Sequence, residues 1–114
     1  MNWNTLSDVQ ATMHQHTRDI GYWSPEHMGD KIAHLHSEVT ELYEAFRKDP
    51  TGQCDKPIPD LTREEEEFAD CLLVLLDISG YRGIDLAYAA RKKFEYNQTR
   101  GRITLIEEVG PGER

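Results

Sequence analysis

An apolar stripe across the middle of the chain constrains the fold more than any other feature of the sequence. Its six members recur at intervals of four and three residues, which places them on one face of a single long helix. Ser24 as N-cap and Pro25 at the first helical position are typical of a helix start, and Asp49-Pro50 is expected to end the helix. The stripe is therefore expected to pack against other helices. It consists of Met28, Ile32, Leu35, Val39, Leu42 and Phe46.

Turn signals separate this helix from its neighbours on both sides. Apolar residues at helical spacing predict a first helix from Leu6 to Ile20, which Gly21 is placed to stop. Residues 50–61 contain three prolines and a glycine, a composition typical of a loop.

The second half of the chain predicts two further helices. Thr62 followed by Glu65 forms a capping box that opens the third helix. From Phe68 to Ile78 this helix is nearly all apolar, so we expect it to be buried on most sides. A glycine ends it, and Asp85 caps a fourth helix that runs to about Thr99. The pattern predicts an all-α, four-helix bundle.

Length and composition narrow the classes of protein that this chain can belong to. Its 114 residues suit one small domain, with residues 1–101 as the domain and residues 102–114 as a C-terminal tail or oligomerisation arm. The net charge of −8 argues against a nucleic-acid polymer as the main partner, because phosphate backbones require a basic face. With no apolar run of membrane-spanning length and only two cysteines, we expect no membrane association and a reducing, cytoplasmic setting.

Two pairs of acidic residues share a spacing of three, Glu38 with Glu41 and Glu67 with Asp70. Residues three apart are neighbours on a helix surface, so each pair presents two carboxylates together. Acids on amphipathic helices are usually solvated, and Glu38 with Glu41 alone would be interpreted in that way. Asp70 differs, because the stretch from Phe68 to Leu76 carries no other charge. A buried carboxylate must be protonated, paired or bound to a metal, and one metal site shared by all four acids would account for them.

The chemistry of the available ligands favours Mg²⁺, with Mn²⁺ as the alternative. Carboxylate oxygens without neighbouring thiolates suit these hard cations better than zinc. A di-iron site in a helical bundle requires Glu-x-x-His motifs, which the sequence lacks. The paired histidines, His14 with His16 and His34 with His36, are two residues apart and therefore point to different sides of a helix.

The fourth helix carries a complementary stripe. Lys93, Asn97 and Arg100 are spaced four and three residues apart and share one face. Taken alone, they would form a solvated basic face at a helix C-terminus, where cations are mildly favoured. Opposite a carboxylate cluster that holds Mg²⁺, the same three side chains would suit a polyphosphate chain.

In combination, Glu38-x-x-Glu41, Glu67-x-x-Asp70 and Lys93-x-x-x-Asn97 resemble the MazG-type all-α nucleoside triphosphate pyrophosphohydrolases. The resemblance covers about residues 20–100 and includes the residue types as well as the spacing in two segments, KIAHLHSEVTELYEA and KKFEYNQTR. It implies a four-helix MazG-like bundle that converts nucleoside triphosphates to monophosphates and pyrophosphate with Mg²⁺, for sanitation or shaping of the nucleotide pool. Related members act on dUTP, dCTP or phosphoribosyl-ATP.

The resemblance also implies roles for individual residues and an assembly state. All four acids would be metal ligands, with Glu41 or Glu38 also catalytic by orienting or deprotonating the attacking water. Lys93, Asn97 and Arg100 would bind phosphates, and the protein would be a homodimer or homotetramer. Trp23 and His34 lie near the flank of the acids and are candidates for the substrate pocket, although a tryptophan at the start of a helix often belongs to the core.

Two other classes remain open from the sequence. A non-enzymatic, acidic helical module that binds a protein partner would explain the charge and the amphipathic helices, but not Asp70 within an apolar run. A metal-storing helical bundle is the second alternative.

Overall fold

The computed structural model describes residues 5–100, which contain four α-helices and no β-strand. The prediction of an all-α chain with four helices is therefore confirmed, while the predicted tail at 102–114 lies outside the described residues. No helix among residues 5–100 has the length and apolarity that a bilayer crossing requires. The elements are α1 (Leu6–Asp19), a 3₁₀ turn (Pro25–His27), α2 (Met28–Lys48), α3 (Arg63–Tyr81) and α4 (Leu86–Thr99).

Local capping signals determine where most of these helices begin and end. The Thr62 hydroxyl accepts a hydrogen bond from the Glu65 N–H, and the Glu65 carboxylate accepts one from the Thr62 N–H, which completes the capping box of α3. Asp85 caps α4 by accepting from a backbone N–H of its first turn. Gly21 and Gly83, just past the ends of α1 and α3, have φ angles of 69° and 70°, a region that favours glycine.

The predicted start of α2 is wrong by three residues. Ser24 and Pro25 open a 3₁₀ turn instead of α2, because the His27 N–H donates to the Ser24 carbonyl at 3.0 Å, three residues back. The α-helix begins at Met28, and the side chain of its N-cap residue, His27, makes no capping hydrogen bond.

Helix α3 is the central element, since it packs against both α1 and α2. Its last turns contain four consecutive buried residues, among them Ile78 and the completely buried Leu76. Val9 contributes from α1. Helix α4 contains no buried residue and contacts α1 and α3 only sparsely.

The expectation that α3 is buried on most sides is wrong. Phe68 is 58% exposed and Leu72 is 44% exposed, so the buried apolar residues of the helix lie in its C-terminal part. The stripe on α2 is likewise only partly covered, with Val39 52% and Phe46 61% exposed. One chain supplies α3 with two major neighbours, α1 and α2, and the remaining apolar face has no cover within the described residues.

The segment between α2 and α3 is a compact loop with its own hydrogen bonds. Gln53 and Thr62 form an isolated antiparallel bridge, and the buried Cys54 donates its N–H to the Leu61 carbonyl at 3.0 Å. At the start of α3, Arg63 binds carboxylates at 2.7 and 2.9 Å, one at the beginning and one in the middle of the loop. The two carboxylates belong to Asp49 and Asp55.

Candidate functional site

The centre of the candidate site is a carboxylate cluster between α2 and α3. Glu38, Glu67 and Asp70 each offer a carboxylate oxygen, and these oxygens lie within 4.8 Å of one another. Glu67 and Asp70 face α2 together because residues three apart share one side of a helix. The structure thus brings together three of the four acids that the sequence singled out.

Two oxygens of this cluster are buried without a partner. Glu38 is 8% exposed, and its Oε2 lies 3.2 Å from Nε2 of His34. Its Oε1, like Oε1 of the half-buried Glu67, has no hydrogen-bond partner within the described residues. Buried polar atoms are normally paired. Two unpaired carboxylate oxygens in the same cluster therefore indicate a position where a cation would be stabilised.

The cluster resists ionisation, as crowded carboxylates do. Burial, followed by the charges of Glu41 and Glu66, raises the pKa of Glu67 to about 7. Burial is also the main cause that raises the pKa values of Glu38 and Asp70 above the usual range for carboxyl groups. A divalent cation would remove this repulsion.

Glu41, the fourth predicted ligand, lies at the rim of the cluster. It is exposed and is not one of the three residues whose oxygens lie within 4.8 Å of one another. Its negative charge nevertheless contributes to the raised pKa values of the other three acids, so it is electrostatically part of the same site.

The donor set fits a hard divalent cation such as Mg²⁺. Carboxylate oxygens are the ligands that Mg²⁺ prefers, and the two unpaired oxygens are free to accept it. Cys71 is the cysteine close to the cluster, and burial together with the surrounding carboxylates raises the pKa of its thiol. Cys71 is not one of the three residues whose ligand atoms converge, so the site offers carboxylate oxygens and no thiolate.

A pocket of about 230 Å³ lies beside the cluster, toward the N-terminal end of α2. Tyr22, Lys31 and His34 line it together with apolar residues of α1 and α3. The Lys31 ammonium lies 3.0 Å from the centroid of the Tyr22 ring, and His34 connects the pocket to the cluster through its contact with Glu38. The pocket offers aromatic and apolar surface to a planar group.

Asp77 supports the far wall of this pocket and is 3% exposed. Its carboxylate accepts hydrogen bonds from Thr17 Oγ1 at 2.6 Å and from Trp23 Nε1 at 2.8 Å. The Nδ1 atom of His14 lies 3.3 Å away. Trp23 also stacks on Tyr81, with ring centroids 4.2 Å apart. Asp77 therefore ties α1 and the connection to α2 onto α3.

A second pocket, of about 500 Å³, lies on the other side of the cluster, beyond Glu41. It is lined by carboxylates and by three cations, Lys48, Lys56 and Arg63. Lys56 Nζ lies 3.6 Å from Oε2 of the buried Glu66. Of the charged neighbours that shift the pKa of Asp70, Lys56 is the one that lowers it most.

No protein-family model, curated protein or solved structure matches this chain.

The remaining predicted residues lie outside the cluster. The Lys93 ammonium is 5.2 Å from the centroid of the Tyr96 ring, and Arg100 lies over the same ring at 5.7 Å. Asn97 is half-buried, with its Oδ1 unpaired in the described part of the chain. Trp23 contacts Asp77 and Tyr81, while His34 lines the 230 Å³ pocket directly.

Sequence reasoning missed two residues of this region. Asp77 carries the signal that identified Asp70, because it too is an acid within the apolar part of the third helix. Lys56 carries no such signal, since it belongs to an irregular loop whose path depends on tertiary contacts.

Proposed function

We propose that this protein is a Mg²⁺-dependent nucleoside triphosphate pyrophosphohydrolase of the MazG type, acting in a reducing, cytoplasmic compartment. The observation that carries the proposal is the cluster of Glu38, Glu67 and Asp70, with unpaired buried oxygens, between two pockets of different character. The proposed reaction releases a nucleoside monophosphate and pyrophosphate, and its role is sanitation or shaping of the nucleotide pool.

The four acids divide two tasks between them in this proposal. Glu38, Glu67 and Asp70 hold Mg²⁺, or Mn²⁺ in its place, because their oxygens converge. A cation held there would compensate the charge of phosphate oxygens and lower the pKa of a water molecule bound to it. Glu41, exposed at the rim, orients the attacking water and accepts its proton. The water oxygen bonds to the α-phosphorus while the bond from that phosphorus to the bridging oxygen breaks, and pyrophosphate leaves.

The 230 Å³ pocket supplies the binding surface for the nucleobase. Tyr22 and the apolar residues of α1 and α3 provide flat and apolar contacts, and His34 offers a ring nitrogen at the boundary with the cluster. Trp23 is a positioning residue, because its hydrogen bond holds Asp77, which lines the pocket. On α4, the stripe of Lys93, Asn97 and Arg100 is proposed to contact phosphate oxygens.

The exposed apolar residues of α2 and α3 support an assembled enzyme. Val39, Phe46, Phe68 and Leu72 are each more than two-fifths exposed, and all belong to the helices that carry the cluster. Burial of about 25 cal/mol for each Å² of apolar surface would favour association. We therefore propose a homodimer or homotetramer in which these faces meet.

The same exposed face supports a second candidate function, a non-enzymatic helical module that binds a protein partner. Such a module has no use for three converging carboxylates with unpaired oxygens. The pyrophosphohydrolase proposal accounts for both features and is therefore the stronger one.

The deciding experiment measures pyrophosphate release from a panel of nucleoside triphosphates with and without Mg²⁺. We expect Mg²⁺-dependent release that Glu67→Gln and Asp70→Asn each abolish, because a neutral amide cannot balance the cation charge. Glu64→Gln, on the same helix but outside the cluster, is the matched control and should remain active. A folded wild-type protein that releases no pyrophosphate from any triphosphate would overturn the proposal. Relative rates with dUTP, dCTP and phosphoribosyl-ATP would assign the substrate class.

A further inference from the structure

We infer that a nucleoside triphosphate lies along the groove between α2 and α3 in one direction, with its base toward Tyr22 and its terminal phosphates toward Lys56. This inference rests on the proposed function and specifies the orientation of the substrate. It assigns to a loop residue, Lys56, the task of binding the pyrophosphate that leaves.

The order of residues along α2 carries the first step of the argument. Lys31 and His34 line the 230 Å³ pocket, which we call the base pocket. Glu38 and Glu41 follow along the helix, and Lys48 lines the 500 Å³ pocket, the larger one. At a rise of 1.5 Å per residue, the distance from the first to the last of these residues is about 25 Å. The carboxylates thus lie between the two pockets.

The order along α3 is the reverse, because the two helices run antiparallel. Val74 and Ile78 line the base pocket, Glu67 and Asp70 belong to the cluster, and Arg63 lines the larger pocket. Both helices therefore place an aromatic and apolar pocket, the carboxylates and a pocket with cations in one line. A nucleotide has the same order of groups: base, inner phosphate and terminal phosphates.

Of the three cations in the larger pocket, Lys56 is the one directed toward the cluster. Arg63 is engaged by two loop carboxylates at 2.7 and 2.9 Å, and Lys48 pairs with Glu44 of its own helix at 3.3 Å. Lys56 instead contacts Glu66, which immediately precedes a cluster residue, and its ammonium remains accessible because the side chain is 64% exposed. An accessible cation at this point can bind a phosphate oxygen.

Contacts within the loop and to the start of α3 fix the backbone around Lys56. The Cys54 thiol donates to the Lys56 carbonyl at 3.4 Å, and the buried Cys54 is itself held by its backbone hydrogen bond to Leu61. Arg63 fixes the same loop to the start of α3 through Asp55. Carboxylates outnumber cations around this pocket, so pyrophosphate would occupy it together with its divalent cations.

The test is calorimetric binding of the two products to the wild type and to lysine variants. The probes are inorganic pyrophosphate with Mg²⁺ and the four common deoxynucleoside monophosphates. Lys56→Ala should weaken pyrophosphate binding about tenfold, because a charge-assisted hydrogen bond is lost, and should change monophosphate binding by less than about twofold. Lys92→Ala, which removes an exposed cation of α4 that lines neither pocket, should leave both affinities within about twofold, and Lys56→Arg should retain pyrophosphate binding.

A double variant separates phosphate binding from simple compensation of Glu66. If Lys56 only neutralised that buried acid, Lys56→Ala/Glu66→Gln would restore pyrophosphate affinity and overturn the inference. Unchanged pyrophosphate affinity in Lys56→Ala would also overturn it, and so would a selective loss of monophosphate binding, which would reverse the orientation. These results in an active wild type refute the orientation alone, whereas a wild type that hydrolyses no triphosphate refutes the proposed function together with it.

Discussion

Glu67 links the chemistry of the candidate site to the stability of the protein at the scale of a single residue. Its pKa rises from 4.5 to about 7 because the folded chain buries it among other carboxylates. Between these two pH values the folded state holds a proton that the unfolded state has already released. The free energy of unfolding must therefore decrease as the pH rises through this window, and the full cost is present above pH 7.

We expect urea titrations in EDTA to show this decrease, with a total of about 3 kcal/mol between pH 4.5 and pH 7. Glu67→Gln removes one of the three carboxyl groups with raised pKa values and should reduce the slope, leaving the apo protein more stable than the wild type above pH 7. Glu64→Gln, outside the cluster, should retain the slope of the wild type. Parallel profiles for all three proteins would show that the cluster is not strained.

At the scale of the element, the loop between α2 and α3 depends on a glycine. A Cβ atom at Gly52 would overlap the side chains of Asp49 and Arg63, which form the ion pair that closes the loop. We expect Gly52→Ala to lower the free energy of unfolding by about 1 kcal/mol, because one of the two side chains must move.

Gly29→Ala is the matched control, since a Cβ there meets no atom within 4 Å. It lies in the first turn of α2, where alanine is the better helix former, so the variant should gain about 0.5 kcal/mol of stability. Urea midpoints of both variants test the contrast. Equal midpoints would mean that the loop accommodates a side chain and that the ion pair does not close it.

The stripe on α4 yields a further prediction for this element. If Lys93 contacts a phosphate, Lys93→Ala should lower kcat/KM by a factor of about 10 to 1,000 and leave the melting temperature nearly unchanged. Lys92→Ala, one position along the same exposed helix, is the control and should be neutral. Identical kinetics in the two variants would make Lys93 an ordinary surface cation.

Helix boundaries could be predicted because their signals are local. Thr62 with Glu65, Asp85 and Gly21 each act within a few residues of themselves, so the sequence around them is sufficient. The start of α2 was misplaced because a 3₁₀ turn and an α-helix share the same opening residues. The position of Lys56 could not be predicted, since loop contacts distant in sequence determine it.

At the scale of the whole molecule, the uncovered apolar residues of α2 and α3 determine the expected assembly. The periodicity of the stripe identified its members but not the chain that would cover them, because pattern alone does not distinguish an internal neighbour from a second copy. Leu35 and Leu42 are half-buried, while Val39 and Phe46 remain exposed. The stripe is therefore divided between a core and an outer face.

We predict that light scattering at micromolar concentration finds at least a dimer. Val39→Glu should shift the population toward monomer, because burial of an unpaired charge opposes association, while helix content by circular dichroism is retained. Tyr88→Glu, on the exposed face of α4, is the control for a dimer built on α2 and α3. A 13 kDa wild-type monomer with full hydrolytic activity would place the complete site within one chain.

The buried carboxylate of Asp77 has a consequence for how the helices are aligned. Apolar faces pack almost equally well when one helix slides by a turn along another, since dispersion and burial are not directional. Hydrogen bonds are directional, and a shift of about 5.4 Å would separate Asp77 from Thr17 and Trp23. The buried charge would then be left without donors, at a cost of several kcal/mol. A single acidic side chain thus defines the register of α1 against α3, and with it the alignment of one wall of the 230 Å³ pocket.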